Sequence, residues 1–264
     1  MILLKRGNTT PSVIVLQILL DAIAGSNLKV DGIFGTRTEQ AVRAFQRQKG
    51  LNPDGIVGKS TWPPLAQLAG VTIADIVDAE DPTALTGEAA DIRAAGGAPI
   101  ILRGMSNGVG QAVADLRSAY AAGAVAILRF HSHGAPGDMN VSAGTGGDSR
   151  ADLSGISHDN LNLVRPQLGQ LGAHLAAFAC IEFHGCEVGH GPSGRTLVQG
   201  VANAAGRPTS AGRRTQFGGG GGYATFKFEG PVESAYPSGM TRAAWGARHQ
   251  ASQSGAVGPL ARAF

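Results

Sequence analysis

The sequence predicts a small three-helix domain followed by an α/β domain whose mainly parallel sheet is covered by helices on both faces. Two patterns carry that prediction. An Asp-Gly turn motif repeats within the first 68 residues, and from residue 98 short apolar runs alternate with amphipathic stretches. The length of 264 residues allows one small and one medium core. With 43% hydrophobic and 16% charged residues, wholesale disorder is excluded. Most of the 40 glycines follow Gly87, which points to tight turns and close backbone approaches in the second half.

In the first domain, Val30-Asp31-Gly32-Ile33-Phe34-Gly35-Thr36-Arg37-Thr38 returns as Pro53-Asp54-Gly55-Ile56-Val57-Gly58-Lys59-Ser60-Thr61. Each copy reads as an Asp-Gly turn, an apolar pair, a glycine and a hydroxyl cap that opens a helix. Thr36 and Glu39 have the spacing of a capping box. Ala41, Val42 and Phe45 form the apolar stripe of the helix between the copies, and Gly50 closes it. Upstream, Thr10 caps a helix begun by Pro11, with Val13, Leu16, Leu20 and Ile23 on its core face. Pro63 and Pro64 after Trp62 are expected to shorten or re-aim the third helix.

This pattern resembles the peptidoglycan-binding domain 1 family. Its segments VxxLQxxL, VDGxFGxxTxxAVxxFQxxxGL and DGxVGxxTWxxL are matched at 13–20, 30–51 and 54–65. The resemblance implies binding of wall peptide or glycan in a groove beside the repeated turns. Asp31, Gly32, Gly35, Asp54, Gly55 and Gly58 are the candidate residues of that surface, unless they only build the turns.

Residues 69–97 read as a linker holding a short strand at 71–77 that pairs with the second domain. Residues 98–250 read as the α/β domain and 251–264 as a tail. Apolar strands are expected at 99–102, 124–130 and 178–185. Between them fall a helix bearing Val109, Val113, Leu116 and Tyr120, closed by Gly123, and a helix at 159–175 interrupted near Pro166. A further helix, capped by Ser193, bears Leu197 and Val201 and ends at Gly206. Residues 138–157 read as irregular or hairpin-like. The glycine run 218–222 lacks the strand–GxGxxG–helix context of a dinucleotide loop and reads as part of a hairpin whose second strand is 223–228. The alternating order implies a parallel sheet, in which ligands sit beyond the carboxyl ends of the strands.

Two such ends carry reactive side chains. His131-Ser132-His133-Gly134 follows one apolar strand, and Cys186 follows another. A cysteine nucleophile needs a partner that accepts or stabilises its proton, and adjacent strand ends bring distant residues to one rim. Gly134 leaves room for a substrate carbonyl, and its N–H suits an oxyanion. The pair resembles clan CD cysteine peptidases, the caspase and gingipain group, in which HGxxG precedes GCxxxxGxxG. Here those segments are His133-Gly134-Ala135-Pro136-Gly137 and the stretch from Gly185-Cys186 onward. The resemblance covers about 100–211. It implies a caspase-like fold, His133 and Cys186 as catalytic dyad, Gly134 at the oxyanion, and a protein or peptide substrate. Asp148, Asp152 and Glu187 are acidic candidates near the rim for a specificity pocket. Cys180, inside its strand, reads as an inert buried thiol. On one strand the two cysteines lie about 20 Å apart at roughly 3.3 Å per residue, too far for a disulfide.

A rival reading places zinc among His131, His133, His184 and a cysteine, without CxxC or HExxH spacing to support it. No metal or cofactor is expected. A balance of 22 basic against 19 acidic residues is no nucleic-acid signature, although the +3 net charge suits adhesion to an anionic wall. No run approaches the ~20 apolar residues of a membrane span. The first residues lack the order of a secretory signal, so a wall-associated, extracytoplasmic location implies a removed signal, lysis, or delivery on a particle. The leading expectation is a cell-wall-targeted cysteine peptidase or peptidase-like protein. The alternatives are a non-catalytic wall-anchoring component of a secreted or injected particle, and a peptidoglycan amidase or endopeptidase.

Overall fold

The computed structural model describes residues 3–80, 84–143, 152–216 and 227–253. The chain divides into two compact units, Met1–Thr72 with Met240–Phe264, and Ile73–Gly239.

The first unit contains α1 (Pro11–Ala24), α2 (Thr36–Gln48) and α3 (Trp62–Ala69). Pro11 occupies the first turn of α1, where its missing N–H costs nothing, and Gly25 ends the helix at φ 56°. Burial is wider than the predicted stripe: every residue of Pro11–Leu20 is buried, while Ile23 is only half-buried. Pro63 and Pro64 do not break α3. They sit in its first turn, whose N–H groups have no intrahelical acceptor. Two expected caps are absent. Thr10 Oγ1 pairs with Ser12 Oγ (2.9 Å) and makes no cap bond. The Thr36–Glu39 capping box does not form, because Gly35 is the N-cap and Glu39 instead pairs with Arg43 at 2.9 Å.

A helix at Arg242–Gln253 belongs to this unit, where sequence reading places 240–250 in the α/β domain. Its residues grip the first turn. Arg242 Nε donates to the Asp31 carbonyl (3.0 Å), and Gln250 Nε2 donates to the Leu28 carbonyl (2.8 Å). A Cβ on Gly246 would lie 1.9 Å from the Val30 carbonyl oxygen, so only glycine permits that approach.

The second unit begins inside the segment 69–97 that sequence reading assigns to a linker. That segment holds β1 (Thr72–Asp78), a π-helical turn at Ala84–Glu88 and α4 (Ala89–Ala94). There follow β2 (Ile100–Leu102), α5 (Gly108–Ala119), β3 (Val125–His131), β4 (Gly134–Ala135), β5 (Asp138–Asn140), β6 (Gly155–Ser157), α6 (Leu161–His174), β7 (Cys180–His184), α7 (Gly191–Ala205), β8 (Thr209–Gly212) and β9 (Val232–Ala235). The main sheet has the order β2-β1-β3-β7-β8-β9 and is mostly parallel, with β9 antiparallel to β8. The stretch 138–157, expected to be irregular or hairpin-like, holds β5 and β6, which join β4 in a small antiparallel sheet just beyond the end of β3. Asp148 and the 218–222 run lie outside the described residues, as does most of 223–228.

Alternation along the strands gives the sheet two unlike faces. Ala74, Ile76, Leu128, Phe130, Ile181, Phe183 and Ala211 join one apolar core with α5, α6 and α7. The other face carries Asp75, Arg129, His131, Glu182, His184 and Ser210. α5–α7 form a layer on the first face, and Glu88, at the end of the turn leading into α4, reaches the second. Two helix expectations change. α6 runs unbroken through Pro166, because the carbonyl the proline leaves unpaired belongs to exposed Asn162. Ser193 lies within α7, whose N-cap is His190, and its hydroxyl donates to the Pro136 carbonyl at 3.1 Å.

Candidate functional site

The carboxyl ends of β3 and β7 form one rim. His131 and His184 are register partners, and each strand then leads within two residues to a predicted site residue, His133 and Cys186. The two turns interlock through glycines. A Cβ on Gly134 would fall 3.2 Å from the Cys186 carbonyl and 2.4 Å from Val188 Cγ2. One on Gly185 would fall 3.2 Å from the Ser132 carbonyl. The His133-Gly134 and Gly185-Cys186 turns therefore pass close beside one another, and both histidine and cysteine are half-buried.

Gly134 offers a directed donor. Asn140 N–H bonds the His133 carbonyl at 3.2 Å, so the next pair of the hairpin, Gly134 with Met139, is the non-hydrogen-bonded one. Its N–H points out of the β4–β5 ladder. Beyond Cys186 the chain turns sharply at Glu187, a non-glycine residue at φ 58°, the sort of local strain that clusters at functional sites. The turn is held by Glu187 N–H to the Arg214 carbonyl (3.0 Å) and Gly189 N–H to the Gly212 carbonyl (2.8 Å). The Cys186 thiol donates to the Gln216 carbonyl at 3.5 Å. Of the acidic candidates, Asp152 caps the Ser154 N–H at 2.7 Å. Both cysteines are free thiols; burial, then the charge of Glu182, pushes Cys180 well above the ordinary thiol range.

Behind the rim lies a buried ionic cluster that periodicity alone does not reveal. Arg129, fully buried, meets Asp75 at 2.6 Å, and His131 Nε2 meets the same carboxylate oxygen at 3.0 Å. His131 Nδ1 faces Glu88 at 3.5 Å, and His184 Nε2 meets Glu182 at 3.0 Å. The two imidazoles stack with centroids 5.0 Å apart, and Phe228 stacks on His184 at 4.5 Å. Burial alone would raise both carboxylates and lower both histidines. For Asp75, the cations Arg129 and His131 outweigh it, and for Glu88, His131, His184 and Arg129 do; both carboxyls shift down. His131 shifts up under Glu88 and Asp75, while burial, with repulsion from His131 and Arg129, takes His184 down despite Glu182. The two stacked rings are thus pushed in opposite directions. Among the described residues no His, Cys, Asp and Glu group of three or more is arranged to hold a metal ion, against the zinc reading. His131 and His184 face carboxylates and one another's rings instead of converging on a point. The sequence signal for the cluster is the run Arg129, His131 on a strand otherwise apolar, matched by Glu182, His184 on another.

In the first unit the repeated turns are built by two glutamines that the motif contains but the turn reading passes over. Gln17 Nε2 donates to Asp31 Oδ1 (3.1 Å) and the Ile33 carbonyl (3.1 Å), and its Oε1 accepts the Gly32 N–H (2.8 Å). Gln46 repeats the set with Asp54 Oδ1 (2.8 Å), the Ile56 carbonyl (2.9 Å) and the Gly55 N–H (2.9 Å). Gly32 and Gly55 have φ of 69° and 74°, so the turn conformation itself asks for glycine. Gly35 is the N-cap of α2, and Gly58 would bring a Cβ within 3.4 Å of Leu3. The turns leave Ile33 and Ile56, at equivalent positions of the two copies, 42% and 37% exposed.

Residues 9–63 match the family model of a peptidoglycan binding domain, so the N-terminal domain is of that kind. A 55-residue stretch is 42% identical to a spore cortex-lytic enzyme of Halalkalibacterium halodurans, covering 21% of this chain and 17% of that protein. A 44-residue stretch is 50% identical to an uncharacterized protein in the bpoA1 3' region of Kitasatospora aureofaciens, covering 17% of this chain and 37% of that one. A solved peptidoglycan-binding protein of Clostridioides difficile, in complex with glutamine hydroxamate, is 40% identical over 24% of this chain and 39% of its own, with a TM-score of 0.23. The chain thus spans well under half the length of each of these relatives. Residues 77–221, more than half of the chain and containing the rim together with Glu88, Arg129, His131, Glu182 and His184 of the cluster, match the model described as domain of unknown function (DUF4347), and the chain belongs to that family.

Proposed function

We propose that the protein is a cell-wall-associated cysteine hydrolase of the caspase-like, clan CD kind, held to peptidoglycan by its N-terminal domain. The observation that carries this reading is the interlocking of the His133-Gly134 and Gly185-Cys186 turns at the carboxyl edges of neighbouring parallel strands. In this reading Cys186 attacks the carbonyl carbon of a peptide bond. His133 takes the thiol proton and returns it to the leaving amine, and Gly134 N–H receives the oxyanion. Water then hydrolyses the thioester and regenerates the thiol. The wall-binding half rests on the family match of residues 9–63, with the outer surface of the turns at Asp31, Gly32, Gly35, Asp54, Gly55 and Gly58 as the contact face.

The test is a mixed peptide library incubated with the full chain bound to purified sacculi, with cleavage read by mass spectrometry. Wild type should cut; Cys186→Ala and His133→Ala should each abolish cutting while still sedimenting with the sacculi. Equal cutting by Cys186→Ala sinks the assignment.

A further inference from the structure

The Gln216 side chain is bracketed by main-chain groups from two stretches of chain. Its Oε1 accepts the Glu229 N–H (2.9 Å), and its Nε2 donates to the Arg214 carbonyl (2.8 Å) and the Glu229 carbonyl (3.2 Å). Gly212 makes room for it, since a Cβ there would stand 2.5 Å from Gln216 Nε2. The main-chain carbonyl of the same residue receives the Cys186 thiol at 3.5 Å. Three further contacts fix this arrangement on either side. Glu187, next to the cysteine, donates its N–H to the Arg214 carbonyl, and Arg213 N–H donates to the Pro231 carbonyl, each at 3.0 Å. Phe228, next to Glu229, stacks on His184. One side chain therefore fastens 214–216 to Glu229 and in doing so sets its own carbonyl upon the thiol.

We propose that Gln216 is a gating residue that holds Cys186 latent until a peptide substrate displaces it; this rests on the reading of Cys186 as nucleophile. A carbonyl oxygen only accepts. While it holds the thiol hydrogen, that hydrogen is not passed to His133, and main chain occupies one approach to the sulfur. Displacement requires breaking the side-chain bracket, which makes the glutamine amide the control point and not the carbonyl alone. Backbone amides from Glu187 and Arg213 would keep the surrounding fold in place when the bracket opens.

The experiment measures iodoacetamide alkylation of the native full chain, resolved by site with mass spectrometry. Gln216→Ala and Gln216→Met, the latter of similar length without hydrogen bonds, are compared with wild type. Both variants should alkylate Cys186 about fivefold faster, the change expected from losing one net hydrogen bond. Cys180, deeply buried, should stay unmodified in all three. An unchanged Cys186 rate overturns the proposal. So does a parallel rise at Cys180, because the glutamine would then only hold the fold together. Alkylation needs no catalysis, so faster labelling without any peptide turnover would uphold the gating and remove the dyad.

Discussion

Gln17 and Gln46 do for the first unit what its glycines cannot do alone: each ties a turn to the helix packed behind it. Each is almost fully buried with its amide fully used, so truncation leaves backbone N–H and carbonyl groups without partners. Gln17→Ala and Gln46→Ala should each destabilise the first unit by about 2–4 kcal/mol, read by urea denaturation. A loss below about 0.5 kcal/mol would show the network to be redundant. Ile33 and Ile56 stand on those turns with nothing to gain from exposure. Their joint replacement by serine should weaken sedimentation with sacculi and leave stability nearly unchanged; unaltered sedimentation removes the turn surface from the contact face. Asp-Gly turns are legible in sequence because their chemistry is local. The glutamines are less so, because each sits in an apolar helical stripe and finds its partners 14 to 21 residues on or 8 to 15 residues on.

At the scale of elements, the strands at β2, β3 and β7 are legible from apolar runs bounded by glycine and polar residues. β1 is harder to read, because Asp75 and Asp78 interrupt its apolar pattern and their partners, Arg129, His131 and Ser132, are more than 50 residues away. The same remoteness hides the ionic cluster, whose members look like single exceptions until the register pairs them. Its two histidines give a pH signature. His131, with its folded value raised, contributes stability that is present below about pH 6.5 and lost as pH rises through the folded value. His184, with its folded value lowered, contributes stability present above about pH 6.5 and lost as pH falls through the folded value. Stability of the second unit should therefore peak near about pH 6.5. Chemical denaturation from pH 5 to 8 checks this, and His184→Gln should flatten the acid limb. A monotonic profile contradicts the opposed pair. Helix packing gives a sharper steric test: a Cβ on Gly172 of α6 would lie 1.8 Å from the Ala205 carbonyl of α7. Gly172→Ala should cost about 1–3 kcal/mol by thermal denaturation, as overpacking does.

The molecule as a whole joins a peptidoglycan-binding domain to a mostly parallel sheet whose winding reverses beside β1, and among the described residues no helix is long and apolar enough to cross a membrane. Such sheets gather distant residues at their carboxyl edge, which is why His133 and Cys186, far apart in sequence, reach one rim. That much is foreseeable from apolar strands that end in His-Gly and Gly-Cys. The contribution of Arg242–Gln253 to the first unit is not, because nothing local in that helix marks the turn it grips. Labelling with an electrophilic peptide ketone asks whether Cys186 is a nucleophile served by His133. Wild type should acquire one adduct, mapped to Cys186, with His133→Ala slowing its formation and Cys180 untouched. An adduct on Cys180, or labelling at Cys186 that His133→Ala leaves unchanged, would contradict it.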